Sequence, residues 1–145
     1  MNKPFEIATI IPTFNRKHTL QRAIDSVYGQ KYISNEIIII DDGSTDGTDE
    51  WIKKKYPQII FLSQSNSGVS SARNLGIKAS RSEWIALLDS DDEWLPEKLQ
   101  KQVKSIESNP EYLCCHTNEI WIRNGVQVNQ MKKHQKYGGN IFFKS

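Results

Sequence analysis

Apolar residues in this chain gather into short runs, and stretches with helical spacing separate one run from the next. Ile7 to Ile11, Glu36 to Ile40, Ile59 to Leu62 and Trp84 to Leu88 read as strands, with Tyr112 to Asn118 as a fifth. Ile37 to Ile40 is unbroken isoleucine. A strand with no polar alternation is expected where helices cover both faces of a sheet. Between the runs, Leu20, Ala23, Ile24 and Val27 fall on one helical face. Ala72, Leu75, Gly76 and Ala79 mark the packing side of a helix over Val69 to Ala79, and Leu99, Val103 and Ile106 form the stripe of a helix ending near Asn109 and Pro110. A further helix, opened by Asp46 or Thr48, runs through Trp51 and Ile52 to Tyr56, ahead of Pro57. Pro12 is expected to stop the first strand and Asn15 to cap the helix after it. Asn124 and Gly125 supply the two left-handed residues of a tight hairpin turn.

Strands alternating with helices in this order predict stacked βαβ units, an α/β fold with a mostly parallel, Rossmann-like sheet flanked by helices. At 145 residues the chain fits one domain with a sizeable core. The two cysteines, Cys114 and Cys115, are adjacent, so a disulfide between them is not expected; they read as small core residues in a reducing compartment. The apolar stretch near the amino terminus is interrupted by Glu6 and too short to span a bilayer, and no cleavage site follows. A cytoplasmic protein is the resulting expectation.

The net charge of +2 hides a segregation: no acid follows Glu119, whereas Arg123, Lys132, Lys133, Lys136 and Lys144 do. With Tyr137, Phe142 and Phe143 among them, this basic end reads first as a solvated terminus and second as a contact for a membrane surface or an anionic partner. Nucleic acid is not expected as a partner, because no DNA- or RNA-binding pattern accompanies the charge.

In open α/β sheets, ligands bind beyond the carboxyl ends of the strands. Those ends are polar here. The first offers Pro12, Thr13 and Asn15, the second Asp41 and Asp42, and the fourth Asp89, Ser90, Asp91 and Asp92, while the segment after the third leads to Arg73 and Asn74. Three carboxylates in a four-residue run repel one another and expect a cation, and oxygen-only ligands favour Mg²⁺ or Mn²⁺. Each piece also has a plain reading. Asp41 and Asp42 before Gly43 suit a turn, Asp91 and Asp92 suit the start of a helix, and Arg73 suits a helix surface. His18, His116 and His134 sit in unlike contexts and receive no role. Trp84 and Trp94 read as packing residues, with a sugar-bordering position for Trp94 as the second reading.

Taken together, IIPTFNR (10–16), IIIIDDGSTDGT (37–48), SGVSSARNLGI (67–77) and IALLDSDDEW (85–94) resemble the donor-binding half of family-2 glycosyltransferases. The resemblance covers 7–109, in the family's order and spacing. It implies a glycosyltransferase A-type fold, with 1–110 forming donor-binding βαβ units and 111–145 a strand, a hairpin and the start of the acceptor region. It further implies that Pro12, Thr13 and Asn15 line a nucleoside, that Asp42 accepts a base N–H with Asp41 supporting the loop, and that Arg73 lies near diphosphate or sugar. Asp89 and Ser90 would face hydroxyls, Asp91 would ligate Mn²⁺ or Mg²⁺, and Asp92 would lie behind the metal or face the sugar. The implied activity is inverting transfer from a nucleotide-sugar donor, with UDP the expected nucleotide, to a hydroxyl of a saccharide or lipid-linked acceptor in polysaccharide biosynthesis. The general base is expected beyond Ser145. A metal- and nucleotide-sugar-binding module without transfer activity is one alternative. A sugar nucleotidyltransferase is another, although PTFNRKH lacks the glycine-rich loop such enzymes carry. Peripheral association with the inner membrane face and homo-oligomerisation stay open.

Overall fold

The computed structural model describes residues 4–128. The basic end with Lys132, Lys133, Lys136, Lys144, Tyr137, Phe142 and Phe143, together with His134, lies outside them. The core is a four-stranded sheet of β1 (Ile7–Thr13), β2 (Glu36–Asp41), β3 (Ile60–Ser63) and β4 (Trp84–Leu87), all parallel in the order β3-β2-β1-β4. The helices are α1 (Lys17–Tyr28), α2 (Thr48–Lys55), α3 (Val69–Ala79) and α4 (Lys98–Ser108). α1 and α2 carry the chain outward from β1 to β3; α3 then returns it across the sheet to β4. The direction reverses between β1 and β4, and that reversal opens the crevice in which such sheets bind ligands.

Two apolar layers hold the sheet. Ile11 and Ile39 face Leu20, Ala23, Ile24 and Val27 of α1 and Ile52 of α2, and α4 extends the same side through Leu99 and Val103 against Ile7 and Ala86. Ala8, Ile10, Ile38 and Ile40 face α3 through Ala72 and Leu75. All seven residues of β1 are buried, as a strand covered on both sides requires. α3 lies so close to β1 that a Cβ on Gly76 would come within 2.5 Å of Ile10 Cγ2, so only glycine fits there. Gln30, buried at the end of α1, donates to the Leu95 carbonyl at 2.8 Å and accepts from the Leu99 N–H at 3.0 Å, fixing the start of α4.

β1 continues through Pro12 to Thr13 instead of stopping at the proline. The reason lies in the ladder. The Thr13 carbonyl accepts from Asp42 N and the Ile10 carbonyl from Leu88 N, so odd-numbered residues of β1 point their backbone groups towards β2 and even-numbered ones towards β4. Pro12 therefore turns its donor-less nitrogen to the side where pairing with β4 has ended opposite Ile10, and no ladder bond is lost.

The expected fifth strand is absent. Residues 112–118 form no ladder, Tyr112 and Leu113 are exposed, and the Cys115 carbonyl accepts from Gln102 of α4 at 3.0 Å, which draws this segment along the helix and away from the sheet. Cys114 is accordingly exposed and Cys115 half-buried; both are free thiols outside the core. The hairpin forms as its turn residues dictate: β5 (Trp121–Arg123) pairs antiparallel with β6 (Val126–Val128), Arg123 opposite Val126, with φ of 51° at Asn124 and 76° at Gly125.

Candidate functional site

The loops at the carboxyl edge are stitched to one another by their own polar residues. Asn15 does not cap α1, which begins after Arg16 without a side-chain cap. It adopts a left-handed φ of 51°, takes the Thr45 N–H on its side-chain oxygen at 2.8 Å and donates its own N–H to Ser44 Oγ at 2.8 Å. Ser44 in turn donates its N–H and hydroxyl to Asp41, which is buried. The loop after β1 is thus tied to the loop after β2, and Asp41 props the latter from beneath. Asp46 bridges the same two loops one layer further out, accepting from Lys17 N at 3.1 Å and from the hydroxyl of Thr48 at 2.6 Å. Burial pushes the Asp46 carboxyl up, but the bonds from Thr48 and Lys17 outweigh it and hold the group below the usual carboxylate range.

Asp42 ties in the loop after β3. It is 5% exposed and accepts from Gln64 Nε2 at 2.7 Å, Ser67 N at 2.8 Å and Gly68 N at 2.9 Å. The two backbone donors lie at the amino end of α3, so Asp42 caps that helix from another strand, where its charge is favoured. Gly68 holds φ at 88°, a conformation that glycine adopts without a Cβ penalty. Burial would raise the Asp42 pKa, yet the three donors lower it overall, so the group is an anion with one oxygen lone pair still uncommitted.

The acids after β4 behave differently. Asp89 pairs with Arg73 of α3 at 2.5 Å, and Asp91 pairs with Arg16 from the loop after β1. Among the described residues no group of three or more His, Cys, Asp or Glu is arranged to hold a metal. Asp89, Asp91 and Asp92 therefore do not gather round one cation; two of them each take an arginine from a different direction. Asp91 remains half-exposed, and a single accessible carboxylate fits a hard divalent ion that draws its other ligands from water and substrate phosphate. Ser90 is buried, and so are Pro12 and Thr13, whose hydroxyl oxygen has no hydrogen-bond partner. Asp92 and Phe14 are exposed at the same edge.

Arg16 is the residue that sequence reasoning missed. It stands inside the quoted IIPTFNR segment, but nothing local links it to an acid 75 positions away. Trp94 packs, partly buried, against the core: its backbone N–H donates to Ser26 Oγ at 3.1 Å, and Lys98 Nζ lies 3.6 Å from its ring centroid. Burial there pushes the Lys98 amine down to about 8. A shallow hollow of about 490 Å³ lined by Lys17, His18, Gln21, Asp46 and Trp51 lies on the α1 and α2 side of this edge.

A doubly wound parallel sheet whose carboxyl edge carries this set of acids and arginines defines a Rossmann-like domain of the glycosyltransferase A type. The chain belongs to the family described as Glycosyl transferase family 2, which matches residues 8–144. It is 38% identical over 139 residues to an uncharacterized glycosyltransferase of Rickettsia bellii, covering 94% of this chain and 20% of that protein. It is 33% identical over 132 residues to the uncharacterized glycosyltransferase YibD of Escherichia coli, covering 83% of this chain and 38% of YibD. Among solved structures, Staphylococcus aureus TarS residues 1–349 in complex with UDP superposes with a TM-score of 0.64 at 25% identity, over 73% of this chain and 33% of TarS. TarS has also been solved with UDP-GlcNAc. The mannosyltransferase PcManGT of Pyrobaculum calidifontis, in complex with GDP-Man and Mn²⁺, shares the fold at a TM-score of 0.62 and 24% identity, over 70% of this chain and 32% of PcManGT. The chain thus spans between a fifth and two fifths of the length of these relatives.

Proposed function

We propose that this chain forms the donor-binding part of a glycosyltransferase that moves a sugar from a nucleoside diphosphate, of the UDP class, to an acceptor hydroxyl with inversion. The observation that carries the reading is the convergence at one sheet edge of a buried, ionised Asp42 and two acids, Asp89 and Asp91, each answered by an arginine. The complexes of TarS with UDP and UDP-GlcNAc support the choice of donor class.

In this reading the free lone pair of Asp42 accepts an N–H of the base, Pro12, Thr13 and Asn15 shape the nucleoside wall, and Arg73 approaches the diphosphate. Breaking the bond between the anomeric carbon and the phosphate oxygen leaves a more negative diphosphate. A Mn²⁺ or Mg²⁺ ion held by Asp91 supplies Lewis-acid stabilisation of that leaving group when bound. Asp89, Ser90 and Asp92 are the candidates for ribose and sugar hydroxyls, with Ser90 needing the loop to open because it is buried.

Thermal unfolding with added nucleotides tests the assignment. UDP with Mn²⁺ at a hundredfold above its dissociation constant should stabilise the fold by about 2.7 kcal/mol. Asp91→Asn should lose most of the Mn²⁺-dependent part. If neither UDP, GDP nor a sugar conjugate of either shifts unfolding in the presence of Mn²⁺, the donor-site reading fails.

A further inference from the structure

Asp91 is the acid placed to hold the metal, and it is already engaged by Arg16. A divalent ion on that carboxylate and the guanidinium already there repel each other across a few ångströms and compete for the same negative charge. Metal entry therefore favours moving Arg16 away. The move is cheap: side-chain exposures of 46% for Arg16 and 47% for Asp91 leave the pair in water, where such pairs contribute little. The loop need not move with the side chain, because Asn15 next door is bonded to both Ser44 and Thr45. A displaced Arg16 thus stays at the mouth of the site, where an incoming diphosphate brings the anionic oxygens that a guanidinium fork matches.

We propose that Arg16 is a positioning residue that occupies Asp91 in the nucleotide-free protein and passes to the diphosphate when nucleotide and metal enter together. Metal binding is then conditional on nucleotide. Mn²⁺ alone displaces the arginine into solvent, whereas Mn²⁺ with UDP supplies an anionic receiver. The inference deepens the proposed function and rests on the assignment of the metal to Asp91.

The test is Mn²⁺ binding to the 145-residue chain, read from the electron paramagnetic resonance signal of free Mn²⁺, with and without saturating UDP. Arg16→Gln should tighten binding of Mn²⁺ alone by roughly 1.5- to fivefold, the range an exposed ion pair can withhold, and should shrink the enhancement given by UDP by at least about the same factor. Arg16→Lys should fall between Arg16→Gln and the unaltered chain. A merely structural role would not tighten metal binding in any variant. If affinity for Mn²⁺ alone does not rise in Arg16→Gln, including the case where it stays too weak to detect, while Asp91→Asn still abolishes Mn²⁺ binding with UDP, the exchange is wrong and the donor-site reading survives. If Asp91→Asn leaves Mn²⁺ binding with UDP unchanged, the metal assignment falls and the exchange falls with it.

Discussion

Glu36 and Asp91 lie at opposite ends of the sheet and are held in opposite ways. At the amino edge, Glu36 Oε2 accepts from Ser80 Oγ, Arg81 N, Ser82 N and Ser82 Oγ at 2.7 to 3.1 Å, locking the turn between α3 and β4 onto the start of β2. At the carboxyl edge, Asp89 and Asp91 pair with Arg73 and Arg16, whose side chains stay partly in solvent. Backbone donors cannot leave an acceptor without unfolding something, whereas a solvated guanidinium can. Asp42 sits with the site but is bound like Glu36, which marks it as the fixed post of the cleft and the acids after β4 as its exchangeable part. On the proposed reading, a carboxylate's part in the site follows from whether its donors are free to depart.

Removing the fixed post should have the largest effect. Asp42→Ala strands the N–H groups of Ser67 and Gly68 and the amide of Gln64 around a buried space, a loss of about 2–3 kcal/mol by the cost of unsatisfied buried donors. Denaturant unfolding measures it, and UDP should no longer stabilise the variant. A loss as small as that of an exposed ion pair would erase the contrast between the two kinds of acid.

Glu36→Ala comes next, at about 1–2 kcal/mol, because its donors can turn partly to water. Its signature is pH. Burial raises the Glu36 pKa, but the bonds from Ser82, Arg81 and Ser80 lower it further, below the ordinary value of 4.5. The folded state then binds fewer protons than the unfolded state as pH passes through that region, so this contribution is present above about pH 5 and is lost as pH falls through the depressed value. Asp42 acts in the same direction from its ordinary 3.8. Glu36→Gln should flatten the acid limb of stability against pH, and an unchanged limb would show that Glu36 is not among the groups driving it.

Much of this arrangement was legible in local pattern. The helix Val69–Ala79, the stripe Leu20, Ala23, Ile24 and Val27, and the turn at Asn124 and Gly125 follow from spacing and backbone preference that neighbours do not override. The failures share a cause. Pro12 extends β1 because of where β4 stops pairing, Asn15 is claimed by Thr45 instead of α1, and residues 112–118 follow α4 instead of the sheet. Each is decided by a partner distant in sequence. The candidate site shows the same limit: the sequence placed Asp42 after the second strand and Asp89 and Asp91 after the fourth, but charge repulsion read along the chain pointed to one shared cation, whereas the fold brings Arg73 and Arg16 to separate acids.

The smallest effect on stability is expected where the proposed chemistry is most concentrated. Asp89→Asn and Asp91→Asn each break one ion pair whose members keep much of their hydration, so each should cost no more than about 1 kcal/mol, and less in high salt. Asp89 should cost the more of the two, since Arg73, at 32% side-chain exposure, is less solvated than Arg16 at 46% and its Nε is buried without a partner. Chemical unfolding at low and at high ionic strength ranks them. A fold that tolerates both changes while losing Mn²⁺-dependent stabilisation by UDP would mean that the acids after β4 are kept for their ligand. A cost approaching that of Asp42→Ala would instead make them struts, and the division between fixed and exchangeable carboxylates would no longer hold.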